Sequence, residues 1–96
     1  TEVTRAVISL FLADMPKQMM ELKGCPAAGR VAGAECQAHI IKNACANLGG
    51  EALRAVAFDM EQAAKAGDLS AVSARMAEME EQFGRLKEAM EKKLLP

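Results

Sequence analysis

Tryptophan and tyrosine are absent from this 96-residue chain and phenylalanine occurs three times, although 51 % of the residues are apolar. A core without large aromatics must be assembled from Leu, Val, Ile, Met and Ala, a set that favours helices over strands. Cysteine is scarce too: Cys25, Cys36 and Cys45 are odd in number and form no C-x-x-C spacing, so neither a disulfide framework nor a structural zinc site is expected. Cys45 reads as a small buried hydrophobe in a reducing compartment. Neither sign of charge dominates. Twelve Lys and Arg against thirteen Asp and Glu give a net charge of −1, which supplies no basic footprint for nucleic acid or an anionic membrane. A protein partner or a small ligand is expected instead. No apolar run approaches the roughly 18 residues that span a bilayer, and no signal-peptide pattern opens the chain, so a cytoplasmic location without a membrane partner is expected. Gly24, Gly29 and Gly33 do not form a phosphate-binding loop, and no ATP site follows from them. Opening on Thr1 rather than Met is compatible with a domain taken from a longer protein.

What the chain does have is helical periodicity, at a length that fits one domain around one core. After Asp68, the residues Leu69, Val72, Met76, Met79, Phe83, Leu86 and Met90 alternate by three and four, which is the seam of one long helix. Gly67 closes the preceding segment and Asp68 offers an N-cap. Leu53, Val56, Ala57, Met60, Ala63 and Ala64 form a second stripe, fronted by Gly49 and Gly50. In the N-terminal segment Val7, Phe11, Met15, Met19 and Leu22 recur at helical spacing, with Pro16 expected to kink the helix or to open a new one capped by Asp14. Residues 23 to 30 read as a loop. Links this short force long helices to run antiparallel. The expected fold is all-α, an up-and-down antiparallel four-helix bundle in a single domain 1–96, with helices over about 2–23 (broken near Pro16), 31–48, 50–66 and 69–93. All four stripes are needed to close one core, so a monomer is expected.

The single histidine, His39, lies in the segment after the loop. At about 100° per residue, Ala34, Ala38, Ile41, Cys45 and Leu48 converge on the core face, and His39 points roughly 140° away from them. Its helical neighbours are Glu35, Cys36, Lys42 and Asn43, with Ala46 two turns along. One histidine supplies too few ligands for a metal or haem bundle. Paired with Cys36 it lacks the orienting group and oxyanion donors of a hydrolase. An ordinary solvated histidine is the plain alternative that this geometry leaves open.

The stretch AHIIKNACANLGGEALRAVAFDMEQAAKAGD resembles the central helical hairpin of the histidine-containing phosphotransfer (HPt) domain family. That family has Ala before a phospho-accepting His, an apolar residue two further on, Lys at the third position and Gly at the fourth. Small residues and an Asn-Leu-Gly-like ending follow, and then a second helix bearing a carboxylate or amide that meets the imidazole. Ala38, His39, Ile41, Lys42, Ala44, Ala46, Asn47, Leu48, Gly49, Leu53 and Glu61 match this pattern. The N-terminal VISLFLADMPKQMMEL also resembles the family's first long segment, so the likeness spans nearly the whole chain.

The resemblance implies a phosphorelay carrier of bacterial-type two-component signalling. It would accept a phosphoryl group on His39 from a receiver-domain aspartyl phosphate and pass it to another receiver. Glu61 would accept a hydrogen bond from Nδ1 of the imidazole, leaving Nε2 free, and Lys42 would offset the phosphate charge. Cys36, Ile40 and Ala46 of the same helix and Phe58 of the next would form the docking surface, with residues 8 to 12 adding to it. A response-regulator receiver and a hybrid sensor histidine kinase would be its partners. No cofactor or metal is expected on this domain, and Mg²⁺ would be held by the receiver. Such a protein is a phosphohistidine carrier rather than a true enzyme. Asn43 departs from the family pattern by standing where Gly is usual, beside the reacting nitrogen, and its exchange for Gly is expected to keep or raise the transfer rate. The competing readings are a degenerate bundle that binds a receiver or kinase without transferring a phosphoryl group, and a chemotaxis-kinase-type variant phosphorylated directly by a kinase domain. The Ile40 that follows His39, where an acidic residue would be expected, argues against a kinase dimerisation helix.

Overall fold

A computed structural model describes residues 2–94 and contains four helices in chain order: α1 (Glu2–Gly24), α2 (Val31–Ala46), α3 (Glu51–Lys65) and α4 (Leu69–Leu94). They form the expected antiparallel bundle. Each helix packs against its neighbours in sequence order, α4 closes back on α1, and no close backbone contact joins α1 to α3 across the diagonal. The particle measures 45 × 18 × 18 Å, and the 26-residue α4, roughly 39 Å long, runs most of that length. The closest pairing is α2 with α3. That pair carries the site. Among the described residues no helix is long and apolar enough to cross a membrane.

The core follows the stripes, with one shift of register. Leu22, Ile41, Leu53, Met60, Met79 and Val72 are fully buried, while Leu48, Leu69 and Leu86 are half-buried at its edge. In α1 the buried series is Ile8, Phe11, Met15, Met19 and Leu22, and Val7 is exposed. Successive steps of four drift about 40° each around a helix, so the run from Val7 through Met19 precesses off the face. Beginning at Ile8, the mixture of threes and fours stays on it. Phe11 and Phe83 meet with ring centroids 6.3 Å apart and tie α1 to α4.

Pro16 does not break the helix: α1 continues through it as one element. Proline withdraws one N–H and frees the carbonyl of Leu12 from its helical partner. Pro16 is exposed, whereas Met15 and Met19 on either side are locked in the core, so packing holds the segment in one helix across the lost bond. Asp14 is consequently no cap, and its carboxylate accepts a hydrogen bond from Gln18 Nε2 at 3.3 Å.

The links end the helices by familiar physics. After α3, Asp68 N–H donates to Ala63 O and Gly67 N–H to Ala64 O, both at 2.9 Å, with Gly67 at φ +77°. This left-handed closure suits glycine. Asp68 Oδ1 then accepts from Ala71 N–H at 3.0 Å and caps α4. α2 is two residues shorter than expected because residues 47–49 tighten into a turn, closed by Gly50 N–H to Cys45 O at 3.1 Å. A side chain on Gly50 would bring its Cβ to 2.9 Å from Leu86 Cδ2, so the α2–α3 corner is tight by packing as well.

Candidate functional site

The short corner at residues 47–50 sets α2 and α3 side by side. His39 stands on the outward part of α2 with 52 % of its side chain exposed, whereas the Glu61 side chain on α3 is 4 % exposed. Glu61 comes four residues after Ala57 and three before Ala64, both fully buried, so it occupies the shoulder of α3's core stripe. The carboxylate is thereby delivered underneath α2. There Glu61 Oε2 lies 2.8 Å from His39 Nδ1, and Lys42 Nζ donates to Glu61 Oε1 at 2.7 Å.

A buried charge needs such partners. Burial alone would push the Glu61 carboxyl upward, but the hydrogen bonds from Lys42 and His39 and the positive charge of Lys42 outweigh it and hold the group below the usual carboxylate value. An ionised carboxylate only accepts, so the proton on the neutral imidazole must sit on Nδ1 and the lone pair on Nε2. Facing that lone pair, Asn43 Nδ2 lies 3.0 Å from His39 Nε2 and is placed to donate to it.

Lys42 has a different environment from the one sequence spacing suggests. Its side chain is 19 % exposed, and the ammonium lies 5.7 Å from the centroid of the Phe58 ring while it pairs with Glu61. In this resting state its charge is spent on the buried carboxylate rather than displayed beside Nε2. Lys65, the i+4 alternative partner for Glu61, is exposed and lines a shallow depression with Ala32, Glu35, Cys36, His39 and Glu61.

The structure thus brings His39, Lys42, Asn43 and Glu61 into one hydrogen-bonded chain. Cys36, Ile40, Ala46 and Phe58 are all exposed, Ile40 at 40 % and Phe58 at 46 %. Of residues 8 to 12, Ile8 and Phe11 belong to the core and Leu12 is half-buried, which leaves Leu10 as that segment's exposed apolar residue. The depth of Glu61 and its bond to Lys42 were not read from the sequence. The available signal was a carboxylate at a core-facing register of α3. Cys45 is fully buried, and burial pushes its thiol up to about 11, away from any nucleophilic role at neutral pH. Among the described residues no group of three or more His, Cys, Asp or Glu gathers to hold a metal ion.

A buried carboxylate orienting one nitrogen of a half-exposed imidazole suits an imidazole that must act through its other nitrogen. In comparison with known proteins, the family model of the Hpt domain matches residues 6–91. No curated protein and no solved structure matches the chain. The match covers all of α2 and α3, and with them the site, together with most of α1 and α4. The chain therefore belongs to the Hpt domain family, the phosphotransfer carriers of two-component and phosphorelay signalling.

Proposed function

We propose that this domain accepts a phosphoryl group on Nε2 of His39 from the aspartyl phosphate of a receiver domain and returns it to the aspartate of another. Nε2 attacks phosphorus in line, the N–P bond forms, and the acyl-phosphate O–P bond breaks with its electron pair leaving on the aspartate. The loose transition state asks the carrier mainly for position and charge. Nδ1 keeps its proton throughout, and the positive charge that develops on the ring is met by Glu61 at 2.8 Å. Lys42 balances the same carboxylate, and its long stem allows the ammonium to turn toward a phosphoryl oxygen once charge arrives there. Mg²⁺ would be supplied by the receiver.

The observation that carries this reading is the asymmetry of the imidazole. Nδ1 is committed to a buried carboxylate, while more than half of the side chain faces solvent. The receiver would dock on the patch around it, formed by Cys36, Ile40, Ala46 and Phe58, and a hybrid sensor histidine kinase would supply the first receiver. The test is transfer of ³²P from phosphorylated receiver domains to wild type and to His39→Gln. Acid-labile, alkali-stable label on wild type alone is expected. A second reading, a bundle that binds a receiver but carries nothing, draws on the Asn43 amide in front of Nε2. Receiver binding by a folded wild type that takes no label would select it.

A further inference from the structure

His39 is held at both ring nitrogens. Glu61 accepts a hydrogen bond from Nδ1–H, and Asn43 Nδ2 stands 3.0 Å from Nε2. The second contact conflicts with the reaction. In a near-attack arrangement the phosphorus must itself come to about 3–3.5 Å from the nucleophile, along the lone pair. The Asn43 nitrogen already occupies that space, and its N–H claims that lone pair. Both cannot be there together.

Asn43 is not locked in place by the core. It is exposed, one turn along α2 from His39, and among the described residues its amide makes no hydrogen bond other than the one to His39. Rotation about its side-chain bonds would clear Nε2 without moving either helix. From the same position the freed amide can still reach an oxygen of a phosphoryl group on Nε2, where a charge-assisted bond is stronger than the one it leaves.

We infer that Asn43 is a gate on the nucleophile: a positioning residue that covers Nε2 in the resting domain and must swing aside before a phosphoryl group can be accepted. This inference rests on the proposed phosphotransfer at His39. It adds that acceptance is held below what His39 and Glu61 alone would support, and that a docking partner which draws the amide away would open the site.

The gate can be tested without any receiver by using phosphoramidate, which transfers its phosphoryl group to imidazole. The P–N bond of the reagent breaks, ammonia leaves with the electron pair, and the Nε2–P bond forms. Wild type, Asn43→Ala and His39→Gln are compared by ³¹P NMR. Alanine is the best helix former, so the Asn43→Ala fold should persist, and circular dichroism checks it. Release of one net hydrogen bond on the nucleophile should raise the labelling rate about two- to tenfold, with none for His39→Gln. On ¹⁵N-labelled protein, wild type should show scalar coupling between Asn43 Nδ2 and His39 Nε2 across the hydrogen bond, and Asn43→Ala should shift the Nε2 resonance while leaving Nδ1–H in place. An Asn43→Ala protein that labels no faster than wild type, or an unshifted Nε2 resonance, would overturn the gate. Failure of every receiver to transfer, with the gate signatures intact, would instead overturn the receiver partnership and spare the gate.

Discussion

Replacing Glu61 by Gln preserves shape and removes one charge, and its consequences follow from counting donors. Both groups that meet the Glu61 carboxylate, Lys42 Nζ at 2.7 Å and Nδ1–H of His39 at 2.8 Å, are donors. A carboxylate can accept from both. An amide offers one oxygen and one NH₂, so one donor must lose its partner or turn away. Lys42 carries a full charge in a largely enclosed position, 19 % exposed, and takes the amide oxygen. The NH₂ then faces Nδ1, and the imidazole answers by moving its proton to Nε2 and accepting at Nδ1. On the proposed phosphotransfer, the lone pair then disappears from the reacting side. Hydrogen bonds to charged groups contribute about 1.5–3 kcal/mol, so both the preference for the Nδ1–H form and the stability should fall by about that much. The expected results are labelling of His39 slowed about 10- to 100-fold and a urea-unfolding free energy lower by about 1.5–3 kcal/mol. A melting temperature lower by roughly 4–8 °C per kcal/mol should accompany them. ¹⁵N NMR of the imidazole reads the tautomer directly. A Glu61→Gln protein with Nδ1–H retained and labelling unchanged would refute the role assigned to the carboxylate.

Acid should act through the same group. The Glu61 carboxyl is lower in the folded protein than its ordinary value of 4.5, so its contribution is complete above that value and is lost as pH falls through the lower, folded one. Urea unfolding between pH 7 and pH 3 should show this loss in wild type and a smaller one in Glu61→Gln. Lys42→Met keeps an apolar stem against Phe58 but removes the partner that does most to hold Glu61 down, so the acid loss should begin at higher pH, as a stability titration would show. Asp68→Ala removes the α4 cap and should cost about 1 kcal/mol in a thermal melt while the phosphoramidate labelling rate stays unchanged. Phe58→Ala, at a 46 % exposed position, should weaken receiver binding measured by calorimetry several-fold and change the melting temperature little. Equal binding would remove Phe58 from the docking surface.

The architecture was legible because each helix repeats one signal many times. The α4 seam continues over six turns, and its punctuation at Gly67 and Asp68 uses groups whose local chemistry does not depend on the rest of the fold. In α1 that signal is weak at two places. Val7 and Ile8 are neighbours of equal apolar character, so only the accumulated angle over the whole helix chooses between them. Pro16 has a local preference that the core contacts of Met15 and Met19 override, and no local pattern displays those contacts. The site was legible in part for a related reason. The relation of His39 to Asn43 is an i,i+4 distance fixed by one helix, and could be anticipated as proximity.

Glu61 required more, because its depth depends on how closely α2 and α3 approach each other. The corner at Gly49 and Gly50 is short, and small, fully buried residues, Ala38 on α2 and Ala57 and Ala64 one turn either side of Glu61 on α3, leave room for the two helices to come together over the carboxylate. With larger side chains at those positions Glu61 would be pushed outward into water, where its hold on the imidazole would be screened and weak. On the proposed phosphotransfer at His39, the alanines serve the chemistry as well as the packing. Ala57→Val, expected to leave a folded helical bundle, should wedge α3 from α2 and lengthen the bond between Glu61 and His39. It should slow labelling of His39 by more than its effect on helix content, read by circular dichroism, would suggest. Loss of labelling and of helix content in step would show that the alanines serve the fold alone.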